Sequence, residues 1–98
     1  MNRKTISVTL LHVKPGYDEF LLPELLPIIE ASRQIPGCLC FDLYRLQENR
    51  CMFVLHETWV TTEAQQGYAF GPLKAQLSRK LAVALTQVPQ TWDVEEVC

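Results

Sequence analysis

Two histidines are the side chains of this 98-residue chain best suited to move a proton near neutral pH. An imidazole titrates close to neutrality, so it can act as a general base. His12 lies near the end of the first predicted strand and His56 lies within the third. Because these two strands are expected to pair, we expect the histidines to lie close together as candidate catalytic residues. The alternative is a pair of partly exposed strand histidines without a chemical role.

Aromatic residues at and after the end of the third predicted strand could bind a flat ligand. Trp59 ends that strand, where its ring can stack on an aromatic molecule and its N–H can donate one hydrogen bond. Tyr68 and Phe70 follow on a short predicted helix between two glycines, which is the expected mobile lid. Together with Tyr44 they form the candidate substrate-binding set. Alternatively, the tryptophan and the tyrosines fill the core.

Two acidic residues lie in otherwise apolar strands, at Asp42 and Glu57. A carboxylate in such a place needs a partner, because an unpaired buried charge is costly. Pairing with Arg33 or Arg45 would give these acids a structural role or let them stabilise a dimer.

The four cysteines lack the spacing of a metal site. Structural zinc sites use C-x-x-C pairs with further cysteines or histidines, whereas one residue separates Cys38 from Cys40. As alternate strand residues, these two are expected on the same face. We interpret them and Cys51 as small apolar side chains, and Cys98 as exposed at the chain end. The glycines are scattered and form no phosphate-binding loop, so we expect no metal, no flavin and no other cofactor.

Strand and helix patterns follow the order β-α-β-β-α-β, which predicts an α+β, ferredoxin-like fold. In this fold, helices cover one face of a four-stranded antiparallel sheet. The second helix is divided by a Gly-Pro pair. The expected strands are 5–13, 38–46, 51–59 and 91–97, and the expected helices are 18–35, one that starts at 62 and one that starts at 72.

Local signals indicate how the helices begin. Asp18 is the expected N-cap of the first helix, and Pro23 and Pro27 predict an irregular N-terminal half. Thr62 and Gln65 have the spacing of a capping box at the start of the second helix.

Both faces of the predicted hairpin are apolar. Its second strand places Phe53 and Leu55 on one face and Met52 and Val54 on the other. Helices can cover only one of these faces, so the other needs a second cover. We therefore expect a homodimer in which the two sheet faces pack together.

Length and charge exclude several classes of protein. Residues 1–98 make a single domain. The net charge is −2 and the basic residues form only isolated pairs, so nucleic-acid binding is not expected. No apolar run approaches the ~20 residues of a membrane span, and no secretory signal is visible. We expect a cytoplasmic protein that does not bind a membrane.

Residues at the spacing of a known family occur throughout the first sixty positions. They are Lys14-Pro15-Gly16, Ala31-Ser32-Arg33, Pro36-Gly37-Cys38-Leu39, Phe41-Asp42-Leu43-Tyr44, Phe53 and Glu57-Thr58-Trp59. In these residues the chain resembles the antibiotic biosynthesis monooxygenase (ABM) domain family. The resemblance implies a ferredoxin-like homodimer of the dimeric α/β barrel type, with a pocket in each subunit between the sheet and its helices.

The resemblance also implies an activity. The best understood members oxidise polycyclic phenols with molecular oxygen and without metal or flavin, and others degrade haem. Members commonly carry histidines near the positions of Tyr68 and Leu73, so haem binding is not expected here. We expect a cofactor-independent monooxygenase that acts on a small phenol-like or quinol-like aromatic. The alternatives are a non-catalytic module that binds a small ligand and a structural dimer with a vestigial pocket.

Overall fold

Four antiparallel strands form the sheet in this computed structural model, which describes residues 4–98. The strands are β1 (Thr5–His12), β2 (Cys38–Leu46), β3 (Asn49–Trp59) and β4 (Gln90–Val94). Their order across the sheet is β2-β3-β1-β4, so β1 pairs with both β3 and β4. The predicted pairing of the first and third strands is confirmed.

Three helices accompany the sheet within the described residues: α1 (Asp18–Arg33), α2 (Thr62–Ala69) and α3 (Pro72–Ala82). The element order is therefore β-α-β-β-α-β with a divided second helix, which confirms the ferredoxin-like α+β fold. The sheet is open, with β2 and β4 at its edges. None of these helices combines the length and the apolarity needed to cross a membrane.

The core lies between the helices and one face of the sheet, which we call the inner face. Side chains on this face alternate with side chains on the opposite, outer face. Burial of an apolar helix stripe contributes most of the stability of such helices. The buried apolar side chains of the sheet and its helices are Leu11, Val13, Leu21, Leu25, Ile28, Ile29, Phe41, Phe53, Leu55, Trp59, Tyr68, Leu77, Leu81 and Ala84.

The outer face of the sheet is apolar and accessible. Its side chains are half-exposed or exposed in the single chain. The register of the strand pairs places the following apolar residues there: Ile6, Val8, Leu10, Tyr44, Met52, Val54, Trp92 and Val94. This is the second apolar face that the sequence predicts.

The start of α1 differs from the expectation. Tyr17 is the N-cap residue and Asp18 is the first helical residue, so the predicted capping role of Asp18 is wrong. The Asp18 carboxylate instead accepts a hydrogen bond from Arg45 of β2 at 3.1 Å. Pro23 and Pro27 both lie inside the continuous α-helix, where each removes one backbone donor.

The N-cap residue of α2 and the start of β3 also differ from the prediction, although α2 begins at Thr62 as expected. Thr61, not Thr62, caps α2, and its hydroxyl oxygen accepts the N–H of Ala64 at 3.1 Å. In the hairpin, Leu46 pairs with Asn49, so only two residues form the loop and β3 begins two residues before Cys51.

A β-bulge at the start of β2 turns Cys38 to the opposite face of the sheet from Cys40. Cys38 pairs with Trp59 and Cys40 pairs with Thr58, which leaves one extra residue on β2. Cys38 packs against the core, whereas the sulfur of Cys40 lies beside His56 on the outer face. The expectation that the two cysteines share a face is therefore wrong, because the extra residue reverses the alternation.

Candidate functional site

Trp59 lies at the centre of an aromatic cluster that is closed to solvent. Its side chain is 0% exposed, and its indole stacks on the ring of Tyr68 with centroids 5.0 Å apart. Phe41 contacts the Tyr68 ring edge-on at 5.4 Å between centroids. Protein side chains therefore fill the space over the indole where the sequence predicts a ligand.

Glu57 is the buried acid of this cluster. Its side chain is 6% exposed, and Oε1 accepts a hydrogen bond from Nε1 of Trp59 at 3.0 Å. Because the two are alternate residues of β3, both point to the inner face. Glu57 thus anchors the indole. Asp42, by contrast, pairs with Arg33 at 3.1 Å, as the sequence suggests.

The hydroxyl of Tyr68 is held in a neutral, hydrogen-bonding state. Burial raises the pKa of Tyr68 to about 12, and the negative charge of Glu57 adds to this rise. The hydroxyl lies 3.4 Å from Oγ of Ser32, which itself donates to the carbonyl oxygen of Ile28 at 2.7 Å. Tyr68 therefore stays protonated near neutral pH and cannot act there as a base.

The other two aromatics of the predicted set lie apart from this cluster. Phe70 follows the end of α2 and is 89% exposed. Tyr44 is 55% exposed and borders a cleft of about 240 Å³ between α1 and β2. The structure therefore brings together only Trp59 and Tyr68.

The two histidines do not meet. Both project from the outer face, but His56 pairs with Val8 whereas His12 pairs with Met52. His12 therefore lies four residues along β1 from the partner of His56, which is about 13 Å at ~3.3 Å per residue.

A larger cleft opens between the inner face and α3. Its volume of about 410 Å³ lies in the range of ~300–1,000 Å³ typical of ligand sites. Trp59 and Tyr68 are not among its lining residues. Most of its wall is apolar, formed by Leu55, Leu77, Leu81, Ala82, Leu85, Val88 and Pro89.

A few polar groups reach the same cleft. Thr9 and Thr91 lie on its sheet side, with their hydroxyl oxygens 3.0 Å apart. Lys74 and Ser78 lie on its helix side, and Lys74 forms no salt bridge within residues 4–98. An ammonium group and three hydroxyls beside apolar walls can bind a flat molecule with one anionic or hydroxyl oxygen.

The sequence does not predict this cleft, because the leucines of α3 that line it, Leu77 and Leu81, are also buried in the core. The available signal is the spacing of Lys74, Ser78 and Leu81, which places two polar side chains in line with a core leucine on one helix face. Their facing residues on β1 and β4 are distant in sequence, so only the strand register identifies them.

Three potential metal ligands meet on the outer face. Sγ of Cys40 lies 2.9 Å from Oδ2 of Asp42 and 3.3 Å from Nδ1 of His56. Asp42 and His56 are direct partners in the β2–β3 register, a proximity that sequence spacing does not reveal.

Protonation in this group follows from its contacts. Partial burial and the neighbouring Asp42 carboxylate raise the pKa of Cys40 to about 11. The hydrogen bond from the Cys40 thiol, together with Arg33, lowers the pKa of Asp42. In the metal-free chain, a neutral thiol therefore donates to an ionised carboxylate.

Comparisons with known proteins give a family and a fold. Residues 5–72 match the family model described as "Antibiotic biosynthesis monooxygenase". No curated protein matches the chain.

Solved structures share the whole fold. An antibiotic biosynthesis monooxygenase is 22% identical with a TM-score of 0.88, covering 96% of this chain and 99% of its own. A Pseudomonas aeruginosa protein is 21% identical with a TM-score of 0.87, covering 100% and 98%. A conserved Methanosarcina mazei protein is 16% identical with a TM-score of 0.90, covering 97% and 94%. At these identities the likeness shows the fold alone.

Proposed function

Because the chain belongs to the antibiotic biosynthesis monooxygenase family, we propose that it is a cofactor-independent monooxygenase that acts on a small phenol-like or quinol-like aromatic. The observation that carries this proposal is the cleft between the inner face and α3, which is large enough for a small ligand. Its apolar walls suit a flat ring, and its polar groups suit the oxygen of a phenol.

The substrate supplies all the electrons in this reaction. A phenol with a free para C–H reacts with one molecule of oxygen to give a quinone and one molecule of water. One oxygen atom becomes the new ring carbonyl, and the other leaves as water with both displaced hydrogens. The phenolate is the form that reduces oxygen, so the site must favour the anion.

The cleft residues can favour the phenolate in two ways. The ammonium group of Lys74 places a positive charge beside the cleft. The hydroxyls of Thr9 and Thr91 are hydrogen-bonded to each other, so the one that accepts this bond can donate its own hydrogen to the anionic oxygen. Apolar walls strengthen these interactions by excluding water. The phenolic proton leaves to solvent at the open rim, where Ser78 and Gln87 are exposed.

Oxygen uptake tests the proposal. Purified chain is mixed with a panel of phenols, hydroquinones and naphthols in an oxygen electrode, without added flavin, haem or metal. We expect uptake with at least one compound. Lys74→Met should then lower kcat/KM by about 10–100-fold, the usual loss for a hydrogen bond to a charged group.

Lys80→Met is the matched control. Lys80 lies on the same helix but pairs with Glu24 of α1 at 3.2 Å and does not line the cleft. Its removal should leave kcat/KM unchanged. Uptake no greater than that of buffer for the whole panel, from a folded chain, would contradict the proposal.

One observation favours a second function, the binding of a small apolar ligand without turnover. No histidine, aspartate or glutamate of the described residues lines the cleft, so a proton acceptor of the usual kind is missing there. Saturable binding of naphthols in a calorimeter, with no oxygen uptake, would support this second function over the first.

We also propose that the chain forms a homodimer through its outer face. The support is the contiguous set of half-exposed apolar side chains on that face, which is larger than single scattered apolar residues would explain. Interfaces of this obligate kind bury about 2,000 Å² or more.

A further inference from the structure

We propose that Cys40, Asp42 and His56 form a binding site for one zinc ion on the outer face of the sheet. The site is separate from the cleft, so its test does not depend on the proposed oxygenation. It lies on the face through which we propose that the chain dimerises, where His56 pairs with Val8, so in the homodimer the ion would bind within or beside that interface. The sequence does not reveal this site, because Cys40 and Asp42 lie on β2 whereas His56 lies on β3.

The ligand atoms are close to the positions that a tetrahedral zinc ion requires. With Zn–S near 2.3 Å and Zn–N or Zn–O near 2.1 Å, two ligand atoms on one ion lie about 3.4–3.6 Å apart. Sγ of Cys40 lies 3.3 Å from Nδ1 of His56 and 2.9 Å from Oδ2 of Asp42. All three ligand atoms lie within 4.8 Å of one another. Small side-chain rotations would therefore open the site around an ion.

Two further side chains orient the ligands from outside. Nη2 of Arg33 donates to Oδ1 of Asp42 at 3.1 Å, which leaves Oδ2 facing the cysteine. Oγ1 of Thr58 lies 3.4 Å from Nε2 of His56, which leaves Nδ1 facing the cysteine. Such outer hydrogen bonds are typical of metal ligands, whose tautomer and direction they fix.

The set of donor atoms favours zinc. A thiolate, an imidazole and a carboxylate suit Zn²⁺, whereas Mg²⁺ and Ca²⁺ prefer oxygen ligands alone. Zinc would replace the thiol proton of Cys40, which leaves to solvent, and the two anionic ligands would then neutralise the ion. Three protein ligands leave one tetrahedral position for water or another group.

Titration of the reduced, metal-free chain with Zn²⁺ tests this site by calorimetry. We expect one ion per chain. Cys40→Ser and His56→Gln should each weaken the affinity by more than about 100-fold, because the loss of an outer partner alone costs about 10–100-fold. Titration with Co²⁺ should give the near-ultraviolet thiolate-to-cobalt band in the wild type and not in Cys40→Ser.

Cys51→Ser and His12→Gln are the matched controls. Both residues lie in the same sheet, outside the cluster, and their removal should leave the affinity unchanged. Circular dichroism melts show whether each variant is folded. The proposal is overturned if the reduced wild-type chain binds no zinc, or if a control variant loses as much affinity as Cys40→Ser.

Discussion

Trp59 combines complete burial, ring stacking and a hydrogen bond in a single side chain. It is 0% exposed, stacks on Tyr68 and donates a hydrogen bond to Glu57. A ligand could reach its ring only if α2 moved away, because Tyr68 occupies the face of the indole. At the scale of the residue, Trp59 therefore belongs to the core and not to an open binding surface.

Truncation of Trp59 measures this role. We expect Trp59→Ala to lower the free energy of unfolding by about 3–5 kcal/mol, since it leaves a large cavity and an unpartnered Glu57. Phe70→Ala, at an 89% exposed site, should change it by less than about 0.5 kcal/mol. Urea unfolding monitored by circular dichroism gives both values. A stable, folded Trp59→Ala protein that has lost ligand binding would instead restore the predicted substrate-binding role.

The raised pKa of Tyr68 leads us to expect a loss of stability at high pH. Its pKa is about 12 in the folded chain and near 10 when unfolded, so the folded state binds the extra proton between these values. The free energy of unfolding should thus fall by roughly 2–3 kcal/mol as the pH rises from 10 to 12. Tyr68→Phe should lose this part of the pH dependence. If wild type and variant have parallel pH profiles, the shift is absent.

The β2–β3 hairpin decides which residues meet at the scale of the element. The alternation of apolar residues is enough to predict both strands and their pairing. The bulge at Cys38–Cys40 is not predictable, because it depends on how β2 enters the sheet from the turn before it. That one extra residue turns Cys38 towards the core, whereas Cys40 keeps the regular alternation with Asp42 and lies on the outer face beside His56, at the candidate zinc site.

Gly37 controls this entry into β2. Its φ is +93°, and a Cβ there would lie 2.7 Å from Cβ of Ala64 on α2. Gly37→Ala should lower the free energy of unfolding by about 2–4 kcal/mol, through backbone strain and this clash. Gly16→Ala is the control, because Gly16 has φ +83° but no neighbour within 4 Å; it should cost about 1 kcal/mol. Equal losses in urea unfolding would show that the contact with α2 is unimportant.

At the scale of the whole molecule, helices cover the inner face of the sheet and leave the outer face accessible. Element order and apolar patterns predict the ferredoxin-like fold and the core. They do not predict the cleft against α3, because Thr9, Lys74 and Thr91 are brought together only by the final packing. Nor do they predict the distance between the histidines. That distance depends on the strand register, in which His56 pairs with Val8, four residues before His12.

The outer face is the surface through which we propose that the chain dimerises. Val8 lies at its centre, between His56 and Trp92 in the register. Val8→Lys should convert the proposed homodimer to a monomer, because a buried unpaired charge is costly. Val83→Lys, at a 60% exposed site after α3, should leave the dimer intact. Sedimentation at micromolar concentration decides, and a wild-type monomer would refute the dimer.

Incorporation of isotopically labelled oxygen is the most direct test of the central claim. Chelator-treated, flavin-free chain is supplied with ¹⁸O₂ and the phenol that gives the greatest oxygen uptake. We predict that mass spectrometry finds one labelled oxygen atom in the quinone product. Gln76→Trp should still form this product, whereas Ser78→Trp should not, because its indole would fill the cleft. An unlabelled product, or turnover that requires added flavin or metal, would contradict cofactor-independent oxygenation in this cleft.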